Sequence, residues 1–242
     1  MTRIHAQEIR TNDMNPSAAP GKHQFLAHIL PMLTFALLLG GGDLLKTSDG
    51  PLWRVTPEFW VYPLQTLLCG AMLIFFRHDY DFQVLRRPFF VVAIALSVFI
   101  LWVAPQQLLH FRARLVGFNP DMLTAHPTLY WLTLFLRFLR LVIVVPLVEE
   151  IFWRSFLLRY LISEKFNAVP FGAFSWLSFS VVALAFAFSH SISDWPAALV
   201  AGALYNLVAY RSRSLASCVA AHGLTNLALG LWIIATGQWG FW

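Results

Sequence analysis

Val145–Leu161 reads VPLVEEIFWRSFLLRYL. Two adjacent carboxylates, Glu149 and Glu150, and one guanidinium, Arg154, stand in a run that is otherwise almost wholly apolar. A charge at the centre of a membrane helix costs about 2.5–3.5 kcal/mol even on the lenient insertion scale. Three such groups so close together need a partner, a water-filled cavity or a chemical task. The stretch is therefore read as a membrane-embedded helix that carries polar chemistry.

The rest of the chain agrees with that reading. Its 242 residues are 58% hydrophobic and 12% charged, with a mean hydropathy of +0.64. A soluble domain carries about 25% charged residues. The expected fold class is all-α, a polytopic transmembrane helix bundle of about 7–8 spans. Residues 1–22 are polar and mixed in charge and are expected to form a short disordered tail ahead of one integral-membrane domain, 23–242. The formal net charge of +5 does not point to nucleic acid, because the basic residues cluster at helix ends, where lipid headgroups attract them. Cys69 and Cys218 sit inside apolar runs without a metal-ligand or disulfide spacing, and are read as small buried side chains.

A spanning helix needs about 20 mostly apolar residues. The candidates are Phe25–Leu45, Pro57–Phe76, Pro88–Pro105, Phe171–His190, Trp195–Tyr210 and Leu215–Thr236. Thr128–Ile162 is longer than a bilayer requires and contains Arg137, Arg140 and Pro146. The preferred division makes Thr128–Arg140 an interfacial amphipathic helix and Leu141–Ile162 the span; the alternative is one long helix kinked near Pro146. With the N-terminus inside, the inner segments hold Arg3, Arg10 and Lys22, then Arg77, Arg86 and Arg87, then Arg159 and Lys165, then Arg211 and Arg213. The outer segments hold Lys46 and Arg54, then Arg112 and Arg114. This bias predicts a cytoplasmic N-terminus, although the preferred division puts Arg137 and Arg140 outside and weakens it. The closing Gln238–Trp242 reads as an interfacial aromatic anchor.

The polar groups inside the apolar runs divide into roles by spacing. Glu150 and Arg154 are i and i+4, share a helix face and are expected to pair. Glu149 is turned by about 100° and is left for chemistry, for instance holding a water. His190 closes an apolar helix one turn after Phe186, and His222 and Asn226 project from one face of the last. A carboxylate, two imidazoles and an amide on three helices are the parts needed for an activated water and an oxyanion hole. Glu149, His190 and His222 are also a possible three-ligand zinc set, although no HExxH is present. Tyr205 and Asn206 are candidate supporting groups, whereas Asp43, His78, His110, His126 and Asp194 are read as solvated. Two non-hydrolytic readings stay open: a membrane binding, immunity or scaffold protein, and a small proton-coupled transporter. No inverted repeat favours the latter.

Glu149-Glu150-Ile151-Phe152-Trp153-Arg154, Phe186-Ala187-Phe188-Ser189-His190 and His222-Gly223-Leu224-Thr225-Asn226 resemble, in order and separation, the EExxxR, FxxxH and HxxxN motifs of the CPBP intramembrane proteases. These are also called type II CAAX prenyl endopeptidases, or the Abi family. The run ILPMLTF near the start, VEEIFWRSFLLRYL and the closing TGQWGFW further resemble the CAAX prenyl protease-related proteins associated with bacterial exosortase and PEP-CTERM sorting systems. The resemblance implies an endopeptidase in the bacterial inner membrane, acting on a membrane-anchored peptide or protein. It implies Glu149 as the base that polarises water, His190 as a water holder, and His222 with Asn226 as oxyanion donors. Glu150, Arg154 and Phe186 would support them. It implies no resident cofactor, with zinc as the alternative.

Overall fold

The computed structural model describes residues 21–108 and 117–242, and these form an all-helical bundle. The expected disordered tail lies almost wholly outside the described residues. Helix α1 spans Lys22–Leu45 and a single turn, α2, spans Leu52–Val55. They are followed by α3 (Glu58–Phe75) and α4 (Pro88–Gln107). The long α5 runs Pro127–Tyr160, and α6 (Trp176–Phe188), α7 (Trp195–Ser212) and α8 (Leu215–Thr236) complete the bundle. Helices α1, α3, α4, α5 and α8 are long and apolar enough to cross a membrane, and α6 is a shorter apolar helix.

Apart from the single turn α2, successive helices run antiparallel, so the bundle has two distinct ends. At one end the Tyr80 hydroxyl donates to the Ala27 carbonyl at 2.9 Å, and the Arg86 N–H donates to Ser217 Oγ at 2.9 Å. At the other end Lys46 pairs with Glu58, and Gln106 donates to Gln238 at 2.9 Å. Gly42 lies against Val61 at that same end.

The structure does not divide α5 where the sequence reading preferred. Residues 127–160 are one continuous helix, with π-helical stretches at Leu139–Val144 and Ile151–Leu157 on either side of Val145–Glu150. Its 34 residues span about 51 Å, against a hydrocarbon core of about 30 Å. The first π stretch absorbs the constraint that Pro146 imposes. Val145 donates its N–H to Arg140, five residues back, so the next acceptor in that register is Leu141, and Pro146 has no N–H to give it. Asn226 of α8 supplies the missing donor, Nδ2 to the Leu141 carbonyl at 2.9 Å. Gly223 makes the approach possible, since a Cβ there would lie 2.8 Å from the Val142 carbonyl oxygen. The same logic applies in α1, where Pro31 frees the carbonyl of Ala27 that Tyr80 then fills.

Helix α6 is shorter than the Phe171–His190 span expected from hydropathy. Pro170 opens a turn to Ala173, and Gly172 has φ +81°, a left-handed conformation that interrupts helix. Gly172 also packs where a Cβ would lie 2.7 Å from the Ala209 carbonyl. The remaining 13 residues reach only about 20 Å.

Arg137 and Arg140 do not lie in an outer segment. Both are buried inside the bundle, 4% and 6% exposed, with their guanidinium groups 4.3 and 4.2 Å from the Tyr62 ring. Arg140 also donates Nε to Gln65 at 2.9 Å. Cationic stacking on aromatic faces thus holds both guanidinium groups. The closing aromatic segment folds back onto the bundle. Gly237, at φ +67°, turns it back, and Trp242 packs against Phe118 and Phe138.

Candidate active site

Glu150 and Arg154 occupy the most buried part of α5, each with no exposed surface. Arg154 Nη1 donates to Glu150 Oε1 at 2.9 Å, the i to i+4 pair expected from spacing. Its Nη2 donates to the Gly202 carbonyl at 3.2 Å and its Nε to Asn206 Oδ1 at 3.3 Å. The guanidinium also lies 4.9 Å from the Phe186 ring and 5.4 Å from the Tyr205 ring. Gly202 permits this because α6 and α7 touch there, Ala183 Cα lying 3.2 Å from where its Cβ would stand. Arg154 therefore ties α5 to α7 around the aromatic face of Phe186 on α6.

His222 of α8 joins the same carboxylate, its Nδ1 lying 2.9 Å from Glu150 Oε1. The ion-paired carboxylate accepts, so Nδ1 carries the proton and Nε2 is the ring nitrogen left for the cavity. Tyr205 stacks on the imidazole, centroids 5.0 Å apart and planes 21° apart. His190 is held in the same way. Its Nδ1 lies 2.7 Å from the Phe186 carbonyl, which only accepts, and its ring packs 4.8 Å from the Phe186 ring. The phenylalanine four residues before His190 thus orients the ring with both backbone and side chain, and Trp102 packs against it at 5.5 Å. Both imidazoles are tethered through Nδ1.

Glu149, His190, His222 and Asn226 all line one cavity of about 690 Å³. Glu149 is 8% exposed, and its Oε2 is buried with no hydrogen-bond partner among the described residues. An unpaired buried carboxylate oxygen carries a desolvation penalty that most native sites avoid. Asn226 gives one N–H to Leu141 and keeps the other. The Glu150–Arg154–Asn206 network lies behind the cavity wall and touches it through His222, Phe186 and Tyr205, which do line it. The mouth of the cavity is formed by Ser191, Ser193 and Asp194 of the α6–α7 connection and by Gly240–Trp242. Asp194, read from sequence as solvated, is part of that mouth. The connection that follows the short α6 gives Ser191, Ser193 and Asp194 to the cavity lining.

Other sequence candidates fall elsewhere. Asp43, His78 and His126 are exposed at helix ends or loops, and His110 lies outside the described residues. Cys69 and Cys218 are free and fully buried. Among the described residues, no three His, Cys, Asp or Glu side chains converge to hold a metal ion. Glu149, His190 and His222 share one cavity. The sequence reading missed Gly202, Trp102 and the Glu150–His222 bond. Only the small-residue run AGAL around Gly202 hinted at a close helix approach.

No curated protein and no solved structure matches the chain. Residues 131–228, which contain every group of this network except Trp102 and the closing turn, match the family model described as Type II CAAX prenyl endopeptidase Rce1-like, and the segment that builds the site is similar to that family.

Proposed function

We propose that the chain is an intramembrane endopeptidase that hydrolyses a peptide bond of a membrane-tethered polypeptide with a glutamate-activated water. The single observation that carries this reading is the unpartnered, buried carboxylate oxygen of Glu149 in a cavity also lined by two imidazoles tethered through Nδ1. The family match supports the same reaction class.

In this reading a water sits between the Glu149 carboxylate and His190 Nε2. Glu149 takes its proton as the oxygen attacks the scissile carbonyl carbon. His222, through Nε2, and the second N–H of Asn226 are assigned to the developing oxyanion. The C–N bond then breaks as Glu149 returns its proton to the leaving nitrogen, giving one carboxylate and one amine. Glu150 and Arg154 take no part in proton transfer; they hold the rings and helices in register. No step passes through a metal.

The test compares membrane and secreted peptides from cells that lack the protein, cells carrying the wild type and cells carrying Glu149→Gln. Peptides produced by wild type and missing from both other strains support the proposal and name the substrate. A Glu149→Gln strain with the wild-type peptide pattern and phenotype replaces it with a binding or scaffold role.

A further inference from the structure

The cavity opens at one end of the bundle, and the charges separate the two ends. Its mouth is made of the α6–α7 connection and the turn after α8, at the same end as the Lys46–Glu58 pair and the Gln106–Gln238 contact. Toward the other end its lining stops at Val98, Glu149, Phe186, Tyr205 and His222, and Glu150, Arg154 and Asn206, one step further along α5 and α7, have no exposed surface.

The closed end carries the basic residues. Lys22 starts α1 there; Arg77, Arg86 and Arg87 flank the α3–α4 connection; Arg159 and Lys165 follow α5; and Arg211 and Arg213 join α7 to α8. The mouth end carries Lys46 and Arg54, and the sequence adds Arg112 and Arg114 between α4 and α5. Arg137 and Arg140, which blurred this balance in the sequence, lie inside the bundle on aromatic faces and are not loop charges. Short loops rich in Lys and Arg stay on the cytoplasmic side. The closed, basic end therefore faces the cytoplasm.

We infer that the cavity opens to the non-cytoplasmic face of the membrane. Its substrate is then a polypeptide segment that reaches the bilayer from that face, as an exported protein with a membrane-tethered end does, and not a lipid-anchored protein of the cytoplasm. The word substrate rests on the hydrolytic reading above; the orientation rests only on the bundle and its charges.

The experiment is accessibility labelling of single cysteines in the full chain with a membrane-impermeant maleimide, in intact and in opened cells. Ser193→Cys marks the mouth, Ser48→Cys the exposed α1–α2 connection at the same end, and Ser163→Cys the exposed segment after α5. The native Cys69 and Cys218 are fully buried, so the wild type gives the background. Expected is full labelling of Ser193→Cys and Ser48→Cys in intact cells, and labelling of Ser163→Cys only after opening. Labelling of Ser163→Cys but not Ser193→Cys in intact cells overturns the orientation, and so does any pattern in which Ser193→Cys requires opening. Repeating the series in a Glu149→Gln background separates the two ideas. An unchanged pattern in a protein that never cleaves preserves the orientation even if the hydrolytic reading fails.

Discussion

Replacing Arg154 by methionine removes more than one charge. It takes the Nη1 donor from Glu150, the Nη2 donor from the Gly202 carbonyl and the Nε donor from Asn206, all in a region with no solvent access. Breaking a buried ion pair by deleting one partner costs about 3–5 kcal/mol, because the remaining charge stays buried. His222 still reaches Glu150 Oε1, while Glu150 Oε2 already lacks a partner, so little compensation is available. For a chain of this size about 2–4 °C of melting temperature is lost per kcal/mol, so Arg154→Met should melt roughly 6–20 °C below wild type in detergent. The double variant Glu150→Leu/Arg154→Met removes both charges and should regain most of that loss, since apolar replacement of a whole buried pair is close to neutral. It should not regain activity, because His222 then has no acceptor for its Nδ1 proton and its ring is free to turn. Thermal unfolding followed by tryptophan fluorescence, together with cleavage of a substrate peptide, reads both quantities. Arg154→Met melting within 2 °C of wild type, or a double variant as active as wild type, would refute the assignment of this network as the support of the site.

Gly223→Ala places a methyl group 2.8 Å from the Val142 carbonyl oxygen, and overpacking of this kind costs about 1–3 kcal/mol. Gly41→Ala, with open space around it, should be neutral or stabilising by up to about 1 kcal/mol, and the two melting temperatures check the contrast. Tyr80→Phe leaves the Ala27 carbonyl without its donor beside Pro31 and should cost about 1–3 kcal/mol in denaturant titration without altering cleavage. Dialysis against a chelator should leave the cleavage rate unchanged; stoichiometric zinc in the purified protein, lost together with activity, would put a metal in place of the glutamate-only mechanism.

What could be read from the residues alone was whatever depends on spacing along one helix. Glu150 and Arg154 pair because four residues bring them onto one face, and Glu149 turns away from them for the same reason. His222 and Asn226 line one cavity because they too are four apart. The features that escaped depend on partners far along the chain. Arg137 and Arg140 look like interfacial charges until Tyr62, Phe35 and Phe118 come to stack on them. The division preferred at Arg140–Leu141 is not found: one helix runs on through Pro146, and Asn226, on a helix formed much later, gives the Leu141 carbonyl the donor the proline lacks. Helix α6 is shorter than its hydropathy suggests because Gly172 takes a left-handed conformation against Ala209, and no window average responds to that. The bond between His222 and Glu150 has no local signature at all, yet it fixes which nitrogen of the ring faces the cavity.

The central claim is that Glu149, and not its neighbour, activates the water. The most direct measurement is the cleavage rate of a substrate peptide by purified wild type and Glu149→Gln, with melting temperatures taken on the same samples. Glutamine keeps the shape and removes the base. The account predicts wild-type melting with cleavage lowered about 10²- to 10⁴-fold, the range general-base catalysis supplies. A folded Glu149→Gln protein that cleaves at the wild-type rate would contradict it.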